Sequence, residues 1–119
     1  MEISFRKKNK TIIIMVSGEI DHHTSKELRR QTESAYIDMG VKNIIFHFEK
    51  VTFMDSSGIG MMIGRYKQLQ SIGGRIYLVA ANEKITEIIR LSGLTKLIPL
   101  FDTMEDAFSY TEGREHHAV

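Results

Sequence analysis

Asp55-Ser56-Ser57 stands between an apolar run ending at Met54 and a stretch of helical spacing that opens Gly58-Ile59-Gly60 and continues through Gly64. A carboxylate and two hydroxyls at a helix mouth meet unpaired backbone N–H groups and the positive end of the helix dipole. Such a corner accepts a phosphate, holds an anion or serves as a docking tip. Taken as a bare tripeptide, it is a plain N-cap, with Asp55 or Ser56 closing the helix end. Glycines inside a helix cost roughly 1 kcal/mol each against alanine. Gly58, Gly60 and Gly64 therefore need a reason: a backbone packed closely on a sheet, or a surface left open to a partner.

Other chemistries fit less well. A serine hydrolase elbow needs Gly-x-Ser-x-Gly with an acid and a histidine downstream. Here Met54 replaces the first glycine, and the only later histidines are His116 and His117. Gly58-x-Gly60 with Gly64 imitates a dinucleotide fingerprint, but it lies mid-chain and leaves no room for two mononucleotide halves. The adjacent His22 and His23 point in different directions on any regular element and chelate a metal poorly. They read as loop surface. His47, between Phe46 and Phe48, belongs on a sheet face, and the seven methionines fall mostly at apolar positions that fill a core. Lys26, Glu27, Arg29 and Arg30 form a solvated helix face. A phospho-aspartate receiver is the serious rival, because Asp55 ends a strand where that acceptor would lie. It would also need an acidic pair after the first strand, where this chain has Lys7-Lys8-Asn9-Lys10.

The elements that must position the corner emerge from periodicity. A length of 119 residues with 42% hydrophobic and 26% charged residues suits one globular domain. Sixteen Lys and Arg against 15 Asp and Glu leave a net charge of +1, without the basic excess of a nucleic-acid binder. No cysteine is present, which removes disulfides and thiolate chemistry. The first residues carry no apolar signal core, and no apolar run is long enough for a bilayer, so a soluble cytoplasmic protein without membrane contact is expected.

Glu2 to Arg6 alternates as a strand, and Thr11 to Ser17 is a β-branched block; a polar turn joins them as a hairpin. Gly18 to His23 reads as a loop, followed by a capping box at Thr24-Ser25-Lys26-Glu27 and a helix to Gly40. Strands are expected at Asn43 to Phe48, Val51 to Met54, Arg75 to Ala81 and Leu97 to Leu100. A helix is expected from Ser57 to Ile72, another after Asn82 with Ile85, Ile88, Ile89 and Leu91 inward, and a last one from Asp102. The result is an α/β domain: a mixed β-sheet of four to five strands with about four helices, over residues 1–112. Residues 113–119 are expected to be a flexible tail.

The order and spacing of Gly18-Glu19-Ile20-Asp21-His22-His23-Thr24, Phe53 to Gly60, Gly64-Arg65-Tyr66-Lys67 and Ser92-Gly93-Leu94 resemble the anti-sigma factor antagonists built on a STAS domain. The likeness spans nearly the whole chain. The His-His-Thr and Arg-Tyr-Lys pieces look more like the sporulation branch than the general-stress branch, which shares the Asp-Ser core. The resemblance implies a single STAS-type domain acting as a regulatory binding module and not as an enzyme.

It implies as partner a dimeric anti-sigma factor that is also a serine kinase, from which the sporulation sigma factor is freed. That kinase would use ATP to phosphorylate Ser56, which switches binding off, and a serine phosphatase would restore it. Asp21 matches a position that touches the anti-sigma factor. Asp55, Ser56, Ser57, Gly58, Ile59 and Gly60 match the surface that docks beside the kinase nucleotide. No cofactor or metal of its own is implied; ATP, ADP and Mg²⁺ belong to the kinase. Read physically, Gly58 and Gly60 let a partner approach the backbone, Ile59 is an apolar anchor, and Asp21 is a loop carboxylate that contributes little to the fold.

Overall fold

Ile3 and Phe5 face one side of the first strand while polar residues face the other, and the chain reverses through Asn9 at φ 56°, as two-residue hairpin turns favour. In the computed structural model, which describes residues 1–117 and the side chains of 1–112, this is β1 (Glu2–Lys8) paired antiparallel to β2 (Thr11–Ile20). Next come α1 (His22–Met39), β3 (Asn43–Met54), α2 (Ser56–Gln70), β4 (Arg75–Val79), α3 (Glu83–Leu91), a 3-10 turn (Leu94–Lys96), β5 (Leu100–Phe101) and α4 (Met104–His117). Of the flexible tail expected over 113–119, residues 113–117 continue α4, and 118 and 119 lie outside the described residues.

The sheet order is β1-β2-β3-β4-β5, parallel from β2 onward. Three successive crossovers of one hand place α1, α2 and α3 on the same face. The main core lies there: Ile12, Ile14 and Val16 of β2, Ile44, Phe46 and Phe48 of β3, and Ile76 and Leu78 of β4 meet Leu28, Met62, Leu69, Ile85 and Ile89. The alternate positions face α4, where Ile45, Tyr77 and Val79 pack on Ala107. Because side chains alternate across a strand, β3 and β4 each supply both cores.

Several boundaries differ from the sequence expectation. Gly18 to Ile20 is strand, not loop, and His22 and His23 open α1. The cap is Asp21, whose carboxylate accepts from the His23 and Thr24 amides at 2.9 Å each, while the Thr24 hydroxyl takes the Asp21 amide at 2.7 Å. The capping box therefore begins three residues before the expected one. β3 runs unbroken from Asn43 to Met54, and the last strand is Leu100–Phe101, after Pro99. Leu91 is 80% exposed, not inward. Six residues beyond Ile85 is about 240° around a helix, so once Ile85 and Ile89 are buried Leu91 must point away.

Candidate functional site at the β3–α2 corner

The corner is assembled from two neighbouring strand ends. Ile20 of β2 pairs with Met54 of β3, and the Asp55 amide donates to the Ile20 carbonyl at 3.2 Å. Both strands then turn into helices in the same way. Asp21 has φ −109° and ψ −169°, and Asp55 has φ −107° and ψ −172°, the extended geometry of an N-cap. Two helix N-termini thus open side by side at one end of the sheet.

Asp55 is the cap of α2, its carboxylate accepting from the Ser57 amide at 2.8 Å. Ser56 is consequently the first helical residue, one earlier than expected, and is exposed. Among the described residues its hydroxyl makes no hydrogen bond, whereas a cap serine would be tied to the backbone. Ser57 and Ile59 are half-buried, and Ile59 packs against the main core as well as reaching the surface.

The two glycines expected to bare the tip divide. Gly60 is exposed, and a Cβ there would meet nothing within 4 Å. Gly58 is buried: a Cβ would lie 2.7 Å from Met54 Cγ and 3.0 Å from Ile20 Cγ2. Its missing side chain lets α2 sit down on the strand ends, and it presents no surface to a partner. Gly64 is half-buried with open space around it, so the exposed line of small residues on α2 is Gly60 and Gly64.

Charge at the corner is set by the capping contacts. The Thr24 amide, more than any other group, holds the Asp21 carboxyl below its ordinary 3.8, helped by the Thr24 hydroxyl and the His23 amide. Asp21 is therefore ionised throughout the neutral range. Away from the corner, Arg65 is 8% exposed between α1 and α2, with its guanidinium 3.0 Å from Glu33 and its Nε donating to Gln68. Burial pulls its pKa down, with Glu33 opposing. Sequence spacing offers no sign of this cross-helix pair. It also misses Asn82 and Lys84, whose side chains reach back to carbonyls of β3.

Comparison with known proteins agrees with this architecture. The STAS domain matches residues 2–107. The chain belongs to the STAS family. An anti-sigma F factor antagonist of Paenibacillus polymyxa is 32% identical over 112 residues, spanning 94% of this chain and 96% of that protein. Among solved structures, the anti-sigma factor antagonist SpoIIAA in its unphosphorylated form superposes with a TM-score of 0.72 at 28% identity, covering 94% and 99% of the two chains. The Bacillus cell fate determinant SpoIIAA in the phosphorylated form gives 0.69 at 30% identity, covering 92% and 99%. As a STAS domain the chain opens with an antiparallel hairpin and carries Lys7 and Lys8 where a receiver would hold its acidic pair, which removes that rival. Among the described residues no helix is long and apolar enough to cross a membrane.

Proposed function

We propose that this STAS domain is an anti-sigma factor antagonist switched by phosphorylation of Ser56. Unmodified, it docks through the β3–α2 corner on an anti-sigma factor that is also a serine kinase, and so frees a sporulation sigma factor. The partner supplies ATP, ADP and Mg²⁺, and a serine phosphatase reverses the modification. The observation that carries the reading is the Ser56 hydroxyl, exposed and uncommitted at the first position of α2 because Asp55 has taken the capping role. That similar proteins exist as structures with and without phosphate supports it.

Phosphorylation adds about −1.5 to −2 charge next to Asp55 and Asp21. The N-terminus of α2 offsets part of the repulsion, by about 0.3–1 kcal/mol, so the modified domain keeps its fold. A misplaced charge inside an interface costs about 2–5 kcal/mol, which corresponds to a roughly 30-fold to several-thousand-fold loss of affinity. Local charge therefore suffices as the off-switch without a change of fold. Ser57, Ile59 and Gly60 complete the docking surface, and Asp21 lies beside it on the neighbouring strand end.

The test is co-purification with the anti-sigma factor in ADP, then mass spectrometry after addition of ATP and Mg²⁺. The reading requires a complex in ADP and phosphoserine at Ser56 after ATP. A complex whose interface leaves the corner facing solvent defeats it.

A further inference from the structure

β3 overhangs the strand beside it. Its pairing with β4 stops at His47, opposite Val79, yet β3 continues for seven more residues to Met54. On the other side β2 accompanies it to the end, but the register slips twice. Met15 lies opposite His47 and Ser17 opposite Lys50, then Gly18 opposite Val51 and Glu19 opposite Phe53, so β3 carries two extra residues. Bulges of this kind bend a strand and re-aim the residues beyond the bend. The edge of β3 facing β4 thus has no ladder just where the strand leads into Asp55 and Ser56.

Asn82 occupies the place of the missing strand. Its Nδ2 donates to the Val51 carbonyl at 2.8 Å and the Glu49 carbonyl at 3.3 Å. Its Oδ1 meanwhile accepts from the Ile85 amide at 3.3 Å and caps α3. Two residues on, Lys84 Nζ donates to the Thr52 carbonyl at 3.0 Å. Three carbonyls of the overhang, at 49, 51 and 52, are held by side chains from the start of α3. Ala81, just before Asn82, takes φ +49°. A non-glycine residue in that region is strained and persists only where its surroundings enforce it. The strain and the hydrogen bonds are independent signs that the β4–α3 turn is shaped to bring Asn82 across.

We propose that Asn82, assisted by Lys84, is a positioning residue for Ser56. By securing the overhang of β3 it holds the β3–α2 corner in the one arrangement that a kinase cleft or docking partner meets. Holding a reactive group in place before binding removes ordering entropy from the encounter, which is why a contact distant from the chemistry changes rate. The inference rests on the Ser56 reading for its functional consequence, but its structural part stands by itself.

Asn82→Asp separates the two duties of the side chain. The carboxylate still accepts the Ile85 amide, so α3 stays capped, but it donates nothing to Val51 or Glu49. Lys84→Met removes the second donor with its stem retained, and Lys84→Arg restores one. Amide hydrogen exchange is read first, on the chain alone, far below its unfolding midpoint. Asn82→Asp is expected to speed exchange at residues 53–57 by roughly three- to tenfold, the ratio one or two net hydrogen bonds supply. Exchange in β1 and β4 should be unchanged.

The second readout is kcat/KM for phosphorylation of Ser56 by the anti-sigma factor kinase with ATP, at the same temperature. It should fall by a similar factor in Asn82→Asp and Lys84→Met, with Lys84→Arg close to the parent. Unchanged exchange at 53–57 in Asn82→Asp overturns the proposal. So does faster exchange spread evenly over the sheet with kcat/KM unaltered, the mark of a purely structural residue. If the parent chain itself is not phosphorylated, the Ser56 reading fails, and a local change in exchange still decides whether Asn82 holds the corner.

Discussion

Asp21 and Asp55 are twins across the β2–β3 ladder: the residues before them pair with each other, and each carboxylate caps the helix that it precedes. The pairing sets two acidic positions far apart in sequence side by side at one end of the sheet. Each aspartate is a helix cap, so a test of the proposed binding role needs variants that separate fold from binding.

Asp21→Ala is expected to lower the melting temperature as well as affinity for the anti-sigma factor, because the capping box goes with the carboxylate. Asp21→Asn keeps an acceptor for the His23 and Thr24 amides and removes only the charge. It should melt close to the parent while binding more weakly. Since the folded pKa lies below 3.8, the contribution of Asp21 is complete above that value and is lost as pH falls through the folded one. Thermal melts and calorimetry on both variants check the pair. Equal binding by Asp21→Asn and the parent would leave Asp21 a cap alone.

Ser56→Ala should abolish phosphorylation and hold affinity within about twofold, since the hydroxyl has no partner to lose. Ser56→Asp should weaken binding by about tenfold or more, as a charge placed in an interface does. Phosphorylation assays and titration calorimetry report both. Label retained by Ser56→Ala would move the acceptor to Ser57.

Gly58→Ala and Gly60→Ala should change stability in opposite directions. At Gly58 the added methyl meets Met54 Cγ at 2.7 Å, so overpacking should destabilise by about 1–3 kcal/mol. At Gly60 nothing lies within 4 Å, and alanine should stabilise α2 by up to about 1 kcal/mol. If Gly60 is where a partner comes close, the more stable variant will also bind less tightly. Urea unfolding gives the two signs, and calorimetry gives the binding.

His47 predicts an acid-side loss of stability. Burial holds its pKa below 6.5, against the pull of the Glu49 carboxylate and with a smaller push from Lys50. The fold therefore favours neutral imidazole. That stability is full above 6.5 and is lost as pH falls through the folded value. Between about pH 7.5 and about pH 5.5 the parent should lose more urea resistance than His47→Gln. Parallel curves for the two proteins would place the acid sensitivity elsewhere.

Much of the architecture is legible in local pattern. The period-two alternation of Ile3 and Phe5, the block at Ile12 to Val16, the helical spacing of Leu28 and Thr32 and the cap at Asn82 act within a few residues. They survive folding unchanged. Element ends are less legible because they depend on neighbours. Gly18 to Ile20 looks like a turn in isolation, but it is held extended by the overhang of β3 alongside it. Leu91 looks like core until the angular positions of Ile85 and Ile89 assign the inner face.

The sequence by itself determined that a carboxylate and a serine open a glycine-bearing helix after a buried strand, in a one-domain α/β chain with a hairpin start. Residue type, order and period suffice for that, because capping and amphipathicity are local. Only the tertiary structure decided that Ser56 is exposed while Ser57 is half-buried, that Gly58 packs inward while Gly60 faces out, that Asp21 stands beside Asp55, and that Asn82 bonds the overhang of β3 that leads into Asp55. Those facts depend on sheet register, which brings residues tens of positions apart into contact, and no local spacing encodes it.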